Sequence, residues 1–272
     1  DEYQKLFVTD LDGTLLRSDR TVSMKIKSAL KRLKHNRILR VIATGRSLYS
    51  LDKVIPPDFP IDYIVFSSGA GIYDFRQKKI VATEALSFAQ AEDIVSVLSG
   101  HQLNFSIQEA IPDNHRFYYS RSDRKSLDFE KRIQYYAEFS NPIPGSGLPD
   151  KNYCQFIAIS DHHDVALYSR VKSALPEFKV IRTTSPLNGE AIWIEIFPST
   201  VSKASGIERI REQYRIDISD TVGVGNDYND LDMLDYTANS FIVDNGATDL
   251  KMRYQVIPSN NQDGVIEAIN RL

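Results

Sequence analysis

Three short apolar runs, Leu6-Phe7-Val8, Leu39-Arg40-Val41-Ile42-Ala43 and Tyr63-Ile64-Val65-Phe66, each stop at small polar residues. The exits are Thr9-Asp10, Thr44-Gly45-Arg46 and Ser67-Ser68-Gly69. Runs this short, bounded by polar turns, read as buried strands of a parallel sheet. Between the first two, Ser23 offers a helix N-cap, and Ile26, Ala29, Leu30 and Leu33 fall on one helical face. Strand, helix, strand with short polar exits is the rhythm of an α/β fold. In such a fold ligands gather in the crevice beyond the carboxyl ends of the strands.

The rhythm changes in the middle of the chain. Ala89 to Leu98 reads as a helix, and Leu103 to Ile107 and Arg116 to Tyr119 alternate like half-exposed antiparallel strands. Ser126 to Glu138 is a charged helix, and Asn141 to Asp150, with its prolines and glycines, is a loop. Tyr153 to Ile159, Phe178 to Ile181 and Ile192 to Phe197 are strands, with a helix from Asp164 to Leu175. This pattern marks 85–198 as an inserted α+β domain. From Lys203 the α/β rhythm returns: a helix with Ile207, Ile210 and Tyr214, a strand Thr221-Val222-Gly223-Val224, a helix starting at Leu231, a strand Phe241-Ile242-Val243 and a closing helix from Val265 to Leu272. The core is therefore expected over 1–84 and 199–272.

Composition narrows the function classes. The chain has 272 residues and a formal net charge of -3 with both signs interspersed, which gives no case for nucleic acid or an anionic membrane. Lys25, Lys27, Lys31, Arg32 and Lys34 lie off the apolar face of their helix and read as a solvated surface. The one cysteine, Cys154, excludes an intrachain disulfide and reads as a small core residue. No apolar run approaches the ~18 residues of a membrane helix. The opening Asp1-Glu2-Tyr3-Gln4 is unlike a signal peptide, and the cytoplasm is the expected location.

Four places at the ends of elements carry chemistry: Asp10 and Asp12, Thr44, Lys203, and Asn226 to Asp230. Their carboxylates, hydroxyl, amides and cation form a hard-oxygen set that suits Mg²⁺. A carboxylate beside such an ion can attack phosphorus, and a second two residues away can exchange protons with the leaving alcohol and the attacking water. A lysine, a threonine hydroxyl and backbone N–H groups can hold the phosphoryl oxygens. An Asp-x-Asp pair alone also serves metal binding in some sugar-nucleotide transferases. Such a reading leaves Thr44, Lys203 and Asn229-Asp230 unused.

Asp10-Leu11-Asp12-Gly13-Thr14 resembles the signature of the haloacid dehalogenase superfamily in its phosphatase form. The resemblance covers nearly the whole chain and implies a Rossmann-like three-layer core with a parallel sheet, plus an inserted α+β cap. It casts Asp10 as nucleophile, Asp12 as general acid/base and Lys203 as the lysine that holds both nucleophile and phosphate. Thr44, in Thr44-Gly45-Arg46, matches the phosphate-binding hydroxyl. Gly45, Arg46, Ser68, Gly69 and Asn229 follow as substrate or phosphate contacts. The implied Mg²⁺ ligands are Asp10, the Asp12 carbonyl, Asn226, Asp230 through water, and the neighbouring Asp227. The tail, with Asn245, Asn260-Asn261 and Asp263-Gly264-Val265, is similar to the Cof-type branch.

The chain departs from that pattern at three positions. Asn226 stands where the family has an aspartate that ligates the metal directly, Ser68 where an asparagine is usual, and Ala204 where a glycine follows the lysine. An amide oxygen brings no charge, so Asn226 weakens the expected metal site. The expected function is a Mg²⁺-dependent phosphatase for a small phosphorylated metabolite, a sugar phosphate first, acting through a phospho-Asp10 intermediate. A phosphomutase, or a phosphometabolite-binding protein with weakened turnover, is the alternative. Arg46 and Asn188 are candidate specificity residues by position, with a turn role beside Gly189 the other reading of Asn188.

Overall fold

The computed structural model describes residues 3–161 and 164–272. Asp1 and Glu2, from the opening stretch weighed as a signal peptide, lie outside them. The chain divides into two compact units, one formed by the residues up to Thr83 together with Ser202–Leu272, the other by Glu84–Val201.

The first unit begins with strand β1 (Lys5–Thr9), helix α1 (Met24–His35), β2 (Ile38–Ala43), the short α2 (Leu48–Leu51) and β3 (Tyr63–Phe66). A hairpin of β4 (Gly71–Asp74) and β5 (Lys79–Thr83) follows. The second unit contains α3 (Phe88–Gly100), β6 (Asn104–Glu109), β7 (Phe117–Ser120), α4 (Leu127–Tyr135), β8 (Ser140–Pro142), β9 (Tyr153–Ser160), α5 (Val165–Ala174), β10 (Phe178–Thr184) and β11 (Ile192–Pro198). The chain then returns to the first unit through α6 (Lys203–Gln213), β12 (Thr221–Gly225), α7 (Leu231–Tyr236), β13 (Asn239–Val243), β14 (Gln255–Ile257) and α8 (Val265–Ile269).

The first unit's sheet runs β14-β13-β12-β1-β2-β3-β4-β5. It is parallel from β14 to β3, as the polar exits imply. It is not parallel throughout: β4 and β5 extend it antiparallel, an extension the sequence reading left out. Strand β5 alternates between exposed and half-buried residues, as an edge strand does, with Val81 exposed between Ile80 and Ala82.

Alternation divides the two faces of this sheet. Leu6, Val8, Leu39 and Val41 pack with Ile207 and Ile210 of α6 and Met233 and Leu234 of α7. Arg40 points the other way and donates to the Leu30 carbonyl of α1, which places α1 on the opposite face. Ser23 caps α1 through the Ile26 amide at 3.1 Å, and Ile26, Ala29, Leu30 and Leu33 are its buried residues. Helices therefore lie on both sides, and the fold is α/β with a mainly parallel sheet. Lys25, Lys31, Arg32 and Lys34 are exposed on α1 and Lys27 is half-buried, in line with the solvated-surface reading.

In the second unit the sheet order is β10-β11-β9-β6-β7-β8. Its apolar core joins α3 and α5 to Phe105, Ile107, Phe156, Ile192 and Ile194 on one sheet face. Cys154 is fully buried on β9. The stretch expected as a loop from Asn141 opens instead on β8, which pairs parallel with β7. The Asn188 side chain serves a turn, accepting from the amides of Glu190 at 2.8 Å and Ala191 at 3.0 Å. Among the described residues no helix is long and apolar enough to cross a membrane.

Candidate active site

Strand order and register bring the candidate residues to one place. The chain leaves β1 for β2 on one side and later returns to β12 on the other, so β1 and β12 flank the point where strand order reverses. Thr9 pairs with Ile42 of β2 and with Val224 of β12. The residues just beyond them, Asp10, Thr44 and Gly225-Asn226, therefore emerge at the same end of the sheet. The Asp10 amide donates to the Val224 carbonyl at 2.8 Å and the Thr44 amide to that of Val65 at 2.8 Å. Ser68 donates to the Thr44 carbonyl at 2.9 Å and Ser67 to the Arg46 carbonyl at 2.8 Å. The exits of β2 and β3 are thus stitched to each other.

At the centre is a buried ion cluster. Lys203, 1% exposed, donates from Nζ to Asp10 Oδ1 at 2.7 Å and to Asp230 Oδ1 at 2.6 Å. Ser202 caps α6 by accepting from the Ser205 amide at 3.0 Å, which fixes Lys203 in the first helical turn. A cation is disfavoured at that end of a helix dipole, and the two carboxylates offset the cost. Burial, then the charge of Asp230, pushes the Asp10 carboxyl up to about 7 against the pull of Lys203. Burial draws the Lys203 ammonium down, but Asp10 and Asp230 outweigh it and the net shift is upward. Asp230 Oδ2 accepts from the amides of Asn226 at 2.8 Å and Asp227 at 3.1 Å, so this carboxylate also shapes the loop after β12. Asp227 and Asp230 cap each other's backbone across that turn. Asn229 is half-buried in the same turn.

The turn after β1 is built around Gly13, at φ +72°. A Cβ there would come within 2.6 Å of Asn226 Nδ2, so this turn and the β12 loop approach too closely for a side chain. Thr14 then bridges both walls: its hydroxyl lies 3.2 Å from Asp10 Oδ2 and 3.2 Å from Asn226 Oδ1. Sequence reasoning gave Thr14 no role of its own. Its signal is its position four residues after Asp10, across the tight turn.

Asp12 is half in solvent and is gripped by Arg46, with Nε to Oδ2 at 2.7 Å and Nη2 to Oδ1 at 2.8 Å. Arg46 Nη1 is held in turn by the hydroxyl and carbonyl of Ser50, at 2.7 and 3.2 Å. Ser50 was not read from the sequence, since a serine in a short helix carries no signal. Gly69 sits at φ +106°, and a Cβ there would lie 2.0 Å from the Ser202 carbonyl oxygen, so the β3 exit presses directly on the cap of α6. Ser68 is fully buried beside it.

The tail residues tie down the far side of the β1 turn. Asn245 Nδ2 donates to the Gly13 carbonyl at 2.8 Å, and its Oδ1 accepts from the Asn260 amide at 2.9 Å. Asn260 Nδ2 donates to the Leu16 carbonyl at 3.0 Å. Asn261 accepts from the Ser18 amide at 3.0 Å, and Asp263 pairs with Arg17 at 2.9 Å.

The oxygen donors available here are the Asp10 carboxylate, the Asp12 carbonyl and the Asn226 amide oxygen, with Asp230 and Asp227 close by in sequence. Among the described residues no group of three or more His, Cys, Asp or Glu side chains is placed to hold a metal ion. Mg²⁺ takes hard oxygen ligands, usually one or two carboxylates, and keeps several waters. The donor set fits Mg²⁺ in kind, though it is poor in charge.

The chain has recognisable relatives. A family model described as haloacid dehalogenase-like hydrolase matches residues 7–269. The 5-amino-6-(5-phospho-D-ribitylamino)uracil phosphatase YwtE of Bacillus subtilis is 25% identical over 288 residues, spanning 98% of each chain. Among solved structures, BT1666 from Bacteroides thetaiotaomicron superposes with a TM-score of 0.77 at 20% identity, covering 100% of this chain and 96% of its own. The subclass IIB sugar phosphatase BT4131 gives 0.76 at 16% identity over 98% of each chain.

Proposed function

This chain belongs to the haloacid dehalogenase-like hydrolases, and we propose that it is a Mg²⁺-dependent phosphatase for a small phosphorylated metabolite, acting through a phospho-Asp10 intermediate. That it is a phosphatase of this family rests on the family match and on relatives named as phosphatases. The observation that carries the mechanism is the Lys203 Nζ contact with Asp10 Oδ1 at 2.7 Å. It fixes the carboxylate by one oxygen and leaves Oδ2 with the Thr14 hydroxyl at 3.2 Å.

In the proposed reaction Asp10 attacks phosphorus, a P–O bond to its carboxylate forms and the ester P–O bond breaks. Asp12 gives a proton to the departing alcohol. Water then attacks the phosphorus of the acyl phosphate while Asp12 takes back a proton, releasing inorganic phosphate and the free Asp10 carboxylate. Lys203 steadies the Asp10 carboxylate and the phosphoryl charge, and the Thr44 hydroxyl and neighbouring backbone N–H groups, with Ser68 and Gly69 at the adjacent exit, bind phosphoryl oxygens. Asp10, the Asp12 carbonyl and Asn226 would hold Mg²⁺, with Asp230 reaching it through water. When bound, the ion supplies charge neutralisation for the transferring group.

A sugar phosphate is the proposed substrate class, supported by the structural likeness to a sugar phosphatase. We assign substrate selection to the second unit, 84–201, as a cap. Purified protein assayed for phosphate release from a panel of phosphorylated sugars and cofactors, with Mg²⁺ or with EDTA, tests the reading. Mg²⁺-dependent release from a subset of sugar phosphates is expected. No release from any member at millimolar Mg²⁺ would favour the second reading, a phosphometabolite-binding protein, for which the uncharged Asn226 is the supporting observation.

A further inference from the structure

We propose a second anion-binding site in the first unit, at the end of the sheet opposite the candidate active site, that takes a small molecule carrying a polyphosphate group. A groove of about 870 Å³ opens there, within the ~300–1,000 Å³ range of small-molecule sites. Strand β2 connects the two ends: Arg40, near its start, lines the groove, and Thr44 follows its end.

The lining is strongly basic. Lys31, Lys34, Arg37, Arg40 and Arg76 face the groove against one lining acid, Asp58. Beneath them Asp62 is fully buried and shared between two guanidinium groups. Arg40 grips it at 2.8 and 2.9 Å, and Arg76 lies 3.8 Å away. One carboxylate under two arginines leaves the floor with surplus positive charge. Arg76 is held by the hydroxyls of Tyr3 at 3.0 Å and Tyr214 at 2.8 Å. That fixes a guanidinium in place before any ligand arrives, which lowers the ordering cost of binding.

The remaining cations have no such internal duty. Lys31, Lys34 and Arg37 are exposed. No side-chain hydrogen bond or ion pair joins any of them to another described residue. Lys34, in the last turn of α1, also complements the helix dipole. Arg37 cannot be explained that way, because it lies beyond the helix, with φ +56°. Tyr3 and Phe59, both largely buried, line the floor of the groove.

Calorimetric titration of the full chain in EDTA, at low salt, with inorganic tripolyphosphate and with adenosine triphosphate as probes, tests the proposal without turnover. Saturable binding that weakens with salt is expected. The double variant Lys34→Glu/Arg37→Glu should lose at least tenfold in affinity with its circular dichroism unchanged. Tighter binding of the nucleotide than of tripolyphosphate would assign contacts to its nucleoside as well, and equal affinities would assign a free polyphosphate. Affinity unchanged by the charge reversal, absence of saturable binding up to millimolar probe, or tighter binding of a single-stranded oligonucleotide would each overturn the proposal.

Discussion

Arg46 holds Asp12 with a two-pronged grip, Nε on one carboxylate oxygen at 2.7 Å and Nη2 on the other at 2.8 Å. This geometry fixes the plane of the Asp12 carboxylate as well as its place, which a lysine could not do. Since Asp12 is the proposed proton carrier, its aim matters in both half-reactions.

Arg46→Lys is therefore expected to keep the fold and the charge but lower kcat by roughly 10- to 100-fold, the cost of a mispositioned catalytic group. Steady-state kinetics on p-nitrophenyl phosphate would show it. A variant with unchanged kcat and a raised KM would instead make Arg46 a substrate contact.

The effect of Lys203→Met should appear in stability as well as activity. The substitution leaves Asp10 and Asp230 buried without their shared cation, which costs about 3–5 kcal/mol for a broken buried pair. Urea denaturation in EDTA should shift by that amount. A change below about 1 kcal/mol would show that water already reaches the cluster.

Much of the candidate site is legible in the sequence because its residues sit where strands end, and strands are short apolar runs that can be counted. Asp10, Thr44 and Asn226 follow directly from register once β1, β2 and β12 are parallel neighbours. The support around them is not legible. Thr14 and Ser50 each hold a side chain four residues away, and a lone hydroxyl has no pattern that periodicity can detect. Asn245 and Asn260 stand out only through the family resemblance, and their hydrogen bonds cross long stretches of chain. The β4–β5 hairpin was missed for a different reason. Its turn, Phe75 to Lys78, joins an edge strand in which Val81 is exposed between Ile80 and Ala82, so apolar and polar residues do not alternate and the strand does not read as one.

Asn226→Asp would add a charge to the proposed metal site. Mg²⁺ affinity is expected to rise about tenfold, worth about 1.4 kcal/mol. The melting temperature in EDTA should fall, because a third carboxylate then faces Asp10 and Asp230, and added Mg²⁺ should more than recover it. Titration calorimetry with Mg²⁺ alone reads the first effect. An unchanged or weaker affinity would remove Asn226 from the metal's ligands.

Burial pushes the Cys154 thiol up from 9.0 to about 12. A thiol with a raised folded value contributes stability that is fully present below about pH 9 and is lost as pH climbs toward 12. The native protein should resist a thiol-reactive dye at pH 8, and one equivalent should react after unfolding in urea. Rapid labelling of the native protein would contradict the burial.

The account's central claim is that Asp10 carries the phosphoryl group. Asp10→Asn preserves shape and hydrogen-bonding reach while removing the nucleophile, so phosphate release from p-nitrophenyl phosphate at saturating Mg²⁺ is the most direct measurement. The account predicts a loss of at least about a thousandfold, with circular dichroism unchanged. Activity above about a thousandth of the parent's in a folded Asp10→Asn protein would contradict it.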